Sequence, residues 1–260
     1  MSASIFSELL ARDGILRVEI RRPEKKNALT GPMYAALADA FMAAERDPAV
    51  RVVLIHGQAG VFTAGNDLAD FLDHPPLSED PPAPVFLFLQ AFSTLSKPFV
   101  AAVTGPAVGI GTTMLLHCDL AYAGASAKFQ LPFVNLGLCP EAASSLLLPA
   151  LAGHVRAAEI LLLGESFGAD KALEIGLVNA VLPDAGVLEH ALGQARKLAA
   201  QPSASVQLTK RLMKRAQAAL VEQTMLEEGR HFRMRLLSPE AKEAFSAFLE
   251  KRKPDFTRFA

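Results

Sequence analysis

The chain has no tryptophan, two tyrosines and two cysteines among its 260 residues. Cys118 and Cys139 cannot make a disulfide framework and neither sits in a metal-ligand spacing, so a reducing compartment is expected and no metal site. Net charge is also nearly absent: 26 Lys and Arg against 27 Asp and Glu leave -1 at pH 7. That balance gives no basic field for nucleic acid or an anionic membrane surface. No apolar run approaches the roughly 18 to 20 residues of a membrane-spanning helix. The first residues lack a basic segment followed by an apolar one, and Thr257-Arg-Phe-Ala260 is not a peroxisomal address, so a cytoplasmic location is expected. Histidines 56, 74, 154, 190 and 231 are scattered, while His117, Cys118 and Asp119 are consecutive and cannot all face one ion. A Gly-x-Ser-x-Gly elbow carrying a serine nucleophile is not expected either.

What is present is apolar substance, 51% of residues, enough for a sizeable core in one domain with an appendage. The organising stretch is Val103 to Asp119. An apolar β-type run, Pro98 to Val103, ends at Gly105, and Gly109 and Gly111 lead into a helical pattern over Thr112 to Cys118. A strand, a tight turn and a helix start leave backbone N–H groups unpaired, and glycines let a ligand approach them. The Rossmann fingerprint is excluded, because Met114 stands where its third glycine belongs and no acidic residue ends a following strand.

Elsewhere Gly14 to Arg21 and Arg51 to His56 read as strands. Thr30 precedes a helix whose apolar positions Met33, Ala36, Leu37, Ala40 and Phe41 recur at helical spacing to about Arg46. Gln58 to Leu68 repeats the theme of strand, glycine, loop, Gly65 and a short helix that Asn66 or Asp67 could cap. The proline-rich stretch Asp73 to Pro84 is a surface loop. Asp119 to Gly124 and Lys128 to Leu131 are short strands. Glu141 opens an apolar helix reaching about Leu151, and Val155 to Leu163 forms another. Helical patterns dominate from Gly186, over Leu188 to Gln201, Ser203 to Glu228 and Ser238 to Arg252. The fold class is α/β, with a core over residues 1–195 and a helical region over 196–260.

If the two strand-glycine-loop-helix units pack side by side, the N–H groups of Asn66 and Ile110 converge on one point, an oxyanion hole suited to a thioester carbonyl becoming an enolate. From spacing alone, glycines that merely permit tight turns explain the pattern as well.

Four segments in order decide between these readings: Arg22-Pro23-Glu-Lys-Lys-Asn27-Ala28-Leu29, Phe62-Thr-Ala-Gly-Asn-Asp-Leu68, Gly105-Pro-Ala-Val-Gly-Ile-Gly111 and Phe129-Gln-Leu-Pro-Phe-Val-Asn-Leu-Gly137. They resemble the enoyl-CoA hydratase/isomerase (crotonase) superfamily over nearly the whole chain. The resemblance implies a crotonase-like spiral of β-β-α repeats with a C-terminal helical trimerisation region, an acyl-CoA substrate, and oxyanion donors at Asn66 and Ile110. It implies no cofactor beyond the coenzyme A of the substrate, and a homotrimer or homohexamer. Lys25, Lys26, Ala28, Ala64 and Leu68 match the family's groove for adenine and pantetheine, and Lys251 matches a segment that reaches the nucleotide's phosphates. The run Lys210-Arg211 with Lys214-Arg215 reads instead as a solvated helix face.

Typical hydratases of the family use two glutamates, whose positions here are Thr113 and Phe133. Neither can act as a carboxylate base. Glu141, in Leu138-Cys-Pro-Glu-Ala-Ala-Ser-Ser145, resembles the catalytic glutamate of peroxisomal-type Δ3,Δ2-enoyl-CoA isomerases, in a setting of Leu131, Phe133, Leu136 and Leu138 that would exclude water. A carboxylate in the first turn of a helix also favours the helix dipole, which is the structural alternative for Glu141. The expected activity is isomerisation of a 3-enoyl-CoA. Hydration or another crotonase reaction, and a non-catalytic acyl-CoA-binding paralogue, are the alternatives.

Overall fold

The computed structural model describes residues 4–259. The chain opens with a hairpin of β1 (Ile5–Leu10) and β2 (Ile15–Ile20), followed by α1 (Gly31–Arg46), β3 (Val52–His56), α2 (Leu68–Asp73) and α3 (Pro84–Ser93). Next come β4 (Phe99–Val103), β5 (Pro106–Val108), the short α4 (Ile110–Thr113), β6 (Leu120–Gly124) and β7 (Lys128–Gln130). Two helices, α5 (Ser144–Ala152) and α6 (His154–Ala158), lead through a π turn to β8 (Phe167–Gly168), α7 (Ala169–Glu174), β9 (Ala180–Leu182) and α8 (Asp184–Ala199). The tail is α9 (Ser203–Lys214), α10 (Ala218–Leu236) and α11 (Pro239–Leu249).

The main sheet has the order β1-β2-β3-β4-β6-β9, all parallel beyond the β1-β2 hairpin. Its central strands are buried on both faces, which is why they read as continuous apolar runs rather than as alternation. Val53, Ile55, Phe99, Ala101 and Val103 face one core with α1 and α3. Val52, Leu54, Val100 and Ala102 face a second, under α8. A second ladder climbs beside the first in the same order: Leu29 pairs with Asn66, Thr63 with Ala107, β5 with β7, and β7 with β8. Each turn of chain thus lays one segment in each sheet before its helix, the β-β-α repeat implied by the resemblance.

The structure departs from the expected elements in several places. Residues 5–10 and 85–93, for which the sequence predicts no regular element, form β1 and most of α3. Val85, Phe88, Leu89 and Phe92 of α3 are buried and Phe86, Leu87 and Ala91 pack on the core too, so the helix has no polar stripe to reveal its period. The strand-to-helix stretch after Val103 contains an extra strand, β5. The long helix from Ser203 to Glu228 is two helices, separated between Lys214 and Ala218. The helix after Glu141 begins three residues late, at Ser144, because Ala142 and Ala143 both adopt left-handed backbone (φ 59° and 54°). Residues 195 and 196 lie inside α8, and that helix packs on β3, β4 and β6.

Candidate active site

The segment from Phe62 to Asp67 runs between two partners. Toward one, Leu29 N–H donates to Gly65 O at 2.8 Å and Asp67 N–H donates to Leu29 O at 2.9 Å. Toward the other, Thr63 N–H donates to Pro106 O at 2.9 Å and Val108 N–H to Thr63 O at 3.0 Å. Leu29 therefore engages the two residues flanking Asn66, which turns the N–H of Asn66 to the side of residues 108–110. There the strands part: Gly109 N–H leaves for Gln130 O at 2.9 Å. Among the described residues, neither Asn66 N–H nor Ile110 N–H takes a protein partner. Gly65 has φ +83°, and a Cβ on it would stand 2.8 Å from Val108 O, so the two backbones touch. Gly109 has φ +55°, and the space its Cβ would fill is open.

The turn is held from outside. Asp67 caps α2, accepting from Ala69 N–H at 3.1 Å and Asp70 N–H at 3.3 Å, and its other oxygen pairs with Arg22 Nη1 at 2.7 Å. The same Arg22 nitrogen donates to Ala28 O at 2.9 Å, fastening residues 22–29 to the turn. Tyr34 of α1, fully buried, donates its hydroxyl to Asn66 Oδ1.

Glu141 is buried, and its Oε1 has no hydrogen-bond partner. Beside it lies a small cavity of about 10 Å³ lined by Phe71, Val85, Phe86, Leu89 and Phe232, with Gly229 and Met225 of α10. Burial there, with the nearby charge of Glu228, pushes the Glu141 carboxyl up to about 8. The charge of Glu141 also adds to the rise that burial gives the Tyr34 phenol. Tyr34 is thus bonded to Asn66 and electrostatically coupled to Glu141.

The backbone that presents Glu141 is strained and clamped. Ser144 donates to Glu141 O through its N–H at 3.0 Å and its hydroxyl at 2.6 Å. His117 Nε2 lies 2.7 Å from Ala142 O, so that nitrogen carries the proton, and burial keeps the ring neutral by lowering its pKa to about 4. Glu228 of α10, buried, accepts from Ala143 N–H at 2.6 Å, from Ser145 N–H at 3.0 Å and from the Ser145 hydroxyl at 2.5 Å.

Residues 11–258 match the enoyl-CoA hydratase/isomerase family. The structure of Pseudomonas aeruginosa OdaA is 49% identical, with a TM-score of 0.92, covering 95% of this chain and 99% of that one. The 2,3-dehydroadipyl-CoA hydratase of Escherichia coli is 34% identical, over 96% of this chain and 99% of its own. Human enoyl-CoA delta isomerase 2 is 33% identical, over 93% of this chain and 62% of its own. The chain belongs to the enoyl-CoA hydratase/isomerase family. It is an acyl-CoA enzyme of that family, and its relatives include both hydratases and isomerases.

Of the residues singled out for the family's chemistry, Asn66 and Ile110 stand at the parted strands, and Tyr34 links Asn66 to Glu141, being bonded to the first and feeling the charge of the second. Lys25, Lys26, Ala28, Ala64 and Leu68 gather at the outer side of the same turn: Ala64 N–H donates to Lys26 O at 2.9 Å, and both lysines are exposed. Lys251 is exposed in the turn just past α11, with φ +55°, and no described hydrogen bond or ion pair joins it to that group. At the two positions where the family's hydratases carry glutamates, Thr113 is fully buried with its Oγ1 unpartnered, and Phe133 is buried in the core.

Three expectations need correcting. Glu141 is not a first-turn acid of a helix, because the left-handed alanines delay α5. Lys210 and Lys214 do not lie on a solvated face. Lys210 is buried, bonded to Asp119 Oδ2 and Lys97 O at 2.7 Å each, and Lys214 donates to His117 O at 3.0 Å. Finally, the spacing Gly-x-Ser-x-Gly does occur, at Gly164-Glu165-Ser166-Phe167-Gly168. Ser166 precedes β8 instead of joining a strand to a helix, so it forms no nucleophile elbow. Tyr34 and Glu228 were missed, the first as an ordinary aromatic on an amphipathic helix, the second as an ordinary helix glutamate.

Proposed function

We propose that this enzyme is a Δ3,Δ2-enoyl-CoA isomerase with Glu141 as its single acid–base group. The observation that carries the reading is the buried carboxyl of Glu141, which has an oxygen with no hydrogen-bond partner and lines an apolar cavity, while Thr113 and Phe133 stand where a hydratase's pair of glutamates would be. One base without a partner suits a proton shuttle better than the activation and addition of water.

The thioester oxygen sits between Asn66 N–H and Ile110 N–H, completing the ladder where the strands part. Ionised Glu141 takes a proton from C2 of a 3-enoyl-CoA, and the electrons move onto the thioester oxygen as a dienolate. The carboxyl then returns the proton at C4, leaving the double bond between C2 and C3, conjugated with the carbonyl. Phe71, Val85, Leu89 and Phe232 keep water from the dienolate. Lys25 and Lys26 supply charge for the nucleotide's phosphates, Ala28, Ala64 and Leu68 leave room for adenine and pantetheine, and Lys251 adds charge from a neighbouring subunit.

The reading extends to fatty-acid degradation in the cytoplasm, with coenzyme A entering only as part of the substrate. Among the described residues no helix is long and apolar enough to cross a membrane. Exposed Leu212, Met213, Leu226 and Met234 on α9 and α10 support a trimer or a dimer of trimers as the working form.

The test is conversion of a 3-enoyl-CoA to its 2-enoyl product, measured beside hydration of a 2-enoyl-CoA, for wild type and Glu141→Gln. Isomerisation that collapses in the variant, with hydration weak throughout, supports the reading. Isomerisation that survives the substitution removes Glu141 from the chemistry, and acyl-CoA binding without turnover in either protein identifies a binding paralogue.

A further inference from the structure

We propose that Glu228 is a positioning residue for Glu141: its carboxylate receives three donors of the strained turn that presents the base, and so holds that turn and sets a second buried carboxyl beside the base. The inference rests on Glu141 being the base, and Glu228 does not touch the substrate in it.

The geometry gives the two carboxylates opposite surroundings. Glu228 collects three donors, from Ala143 N–H, Ser145 N–H and the Ser145 hydroxyl. Glu141, across the same turn, has one oxygen with none. Burial raises both carboxyls, but the three donors hold Glu228 down while Glu141 has none on one oxygen and the charge of Glu228 beside it, so of the two buried acids Glu228 gives up its proton first and Glu141 last. Pairs whose environments separate in this way divide acid and base roles between them. The other titratable groups around the pair do not alter the order. Tyr34 and Cys139 are both pushed upward by burial and stay neutral, Cys139 to about 11, and His117 is neutral, with its pKa at about 4. Arg235, about two turns further along α10, is engaged with Gly137 O at 2.9 Å and Glu240 at 3.3 Å.

The mechanical half of the role follows from the backbone. Ala142 and Ala143 in succession occupy a left-handed conformation (φ 59° and 54°) that the Cβ of an L-residue disfavours. The N–H groups of Ala143 and Ser145 would be unpaired at the start of α5 without a side chain to receive them. No side chain of the turn caps that helix; a glutamate from α10 does so instead. Removing it frees the turn and lowers the charge felt by Glu141 in one step.

The experiment is a carboxyl-carbon NMR titration of the full-length protein labelled at glutamate, comparing wild type, Glu141→Gln to assign the signal, and Glu228→Gln. The high midpoint near 8 should fall by a unit or more in Glu228→Gln. In turnover with a 3-enoyl-CoA, the pH profile should move to lower pH by the same amount, with a lower high-pH plateau of kcat and little change in KM. An unmoved Glu141 midpoint overturns the proposal whatever the turnover. A midpoint that moves in a protein with no isomerase activity upholds it and rejects the reading of the reaction. If Glu228→Gln does not fold, Ser145→Ala takes its place: losing one donor should raise the lower of the two midpoints and narrow the gap between them, and an unchanged gap overturns the proposal.

Discussion

The candidate site is built from two kinds of positive-φ turn. At Gly65 and Gly109 the left-handed backbone falls on glycine, so the turns are unstrained, and the N–H groups of the residues that follow, Asn66 and Ile110, are left without a partner among the described residues. At Ala142 and Ala143 it falls on alanine, and the turn is held by His117, Ser144 and Glu228 from three parts of the chain. The glycine turns supply fixed dipoles that need only be uncovered. The alanine turn supplies a titratable group that must be aimed and kept dry, and its strain is balanced by partners fixed elsewhere in the fold.

That contrast can be broken most forcefully at the base. Glu141→Gln should lower kcat for isomerisation by ~10²- to 10⁴-fold, the usual worth of a general base, measured by steady-state kinetics with a 3-enoyl-CoA. Next in size is Gly65→Ala on the glycine side. Its Cβ would press within 2.8 Å of Val108 O, so the strands must separate and Asn66 N–H moves. The expected loss is ~10²-fold in kcat, as for a displaced oxyanion donor, with a lowered melting temperature. A third measurement reads the base through pH. Glu141 holds its proton up to about 8 in the folded protein and to about 4.5 when unfolded. Between those values the folded state binds more protons, so stability is greatest at low pH and declines as pH rises through the window, while kcat/KM climbs toward pH 8. In denaturant titrations at pH 5 and 8, Glu141→Gln should lose that part of the decline and gain stability over wild type at the higher pH. Asp67→Ala removes both the α2 cap and the Arg22 pair and should cost about 1 kcal/mol by chemical denaturation, with KM rising more than kcat falls. The smallest effect sharpens the alanine side: Ala143→Gly relieves the backbone and should add roughly 0.5 to 1 kcal/mol of stability, with the isomerisation rate within a few-fold of wild type.

Much of the spiral was legible because its signals are local. Strands such as Val52–His56 and Phe99–Val103 are short apolar runs closed by glycine, and Gly65 and Gly109 mark their turns without any partner in view. Glu141 was found through its motif, since one glutamate before two alanines carries no signal of its own. What stayed hidden depends on contacts far along the chain. Glu228 lies beside Glu227 on α10, and helical spacing cannot say which of the two is buried; the crossing of α10 over α5 decides it. Lys210 and Lys214 have the spacing of an exposed basic stripe, but Asp119 and the carbonyls of Lys97 and His117 draw them inward. The left-handed alanines give no sign at all, because nothing about alanine favours that backbone.

The wall of the cavity beside Glu141 has a consequence for how the molecule is made. Met225, Gly229 and Phe232 of α10 complete it, and a backbone N–H next to the base is received by a carboxylate 85 residues further on. During synthesis the spiral emerges before α10, and until that helix follows, Glu141 is without this wall and this clamp. The surroundings of Glu141 are complete only when α10 has left the ribosome, so, with Glu141 as the base proposed above, trimming or swapping the helical tail should disable the acid–base group along with the helix.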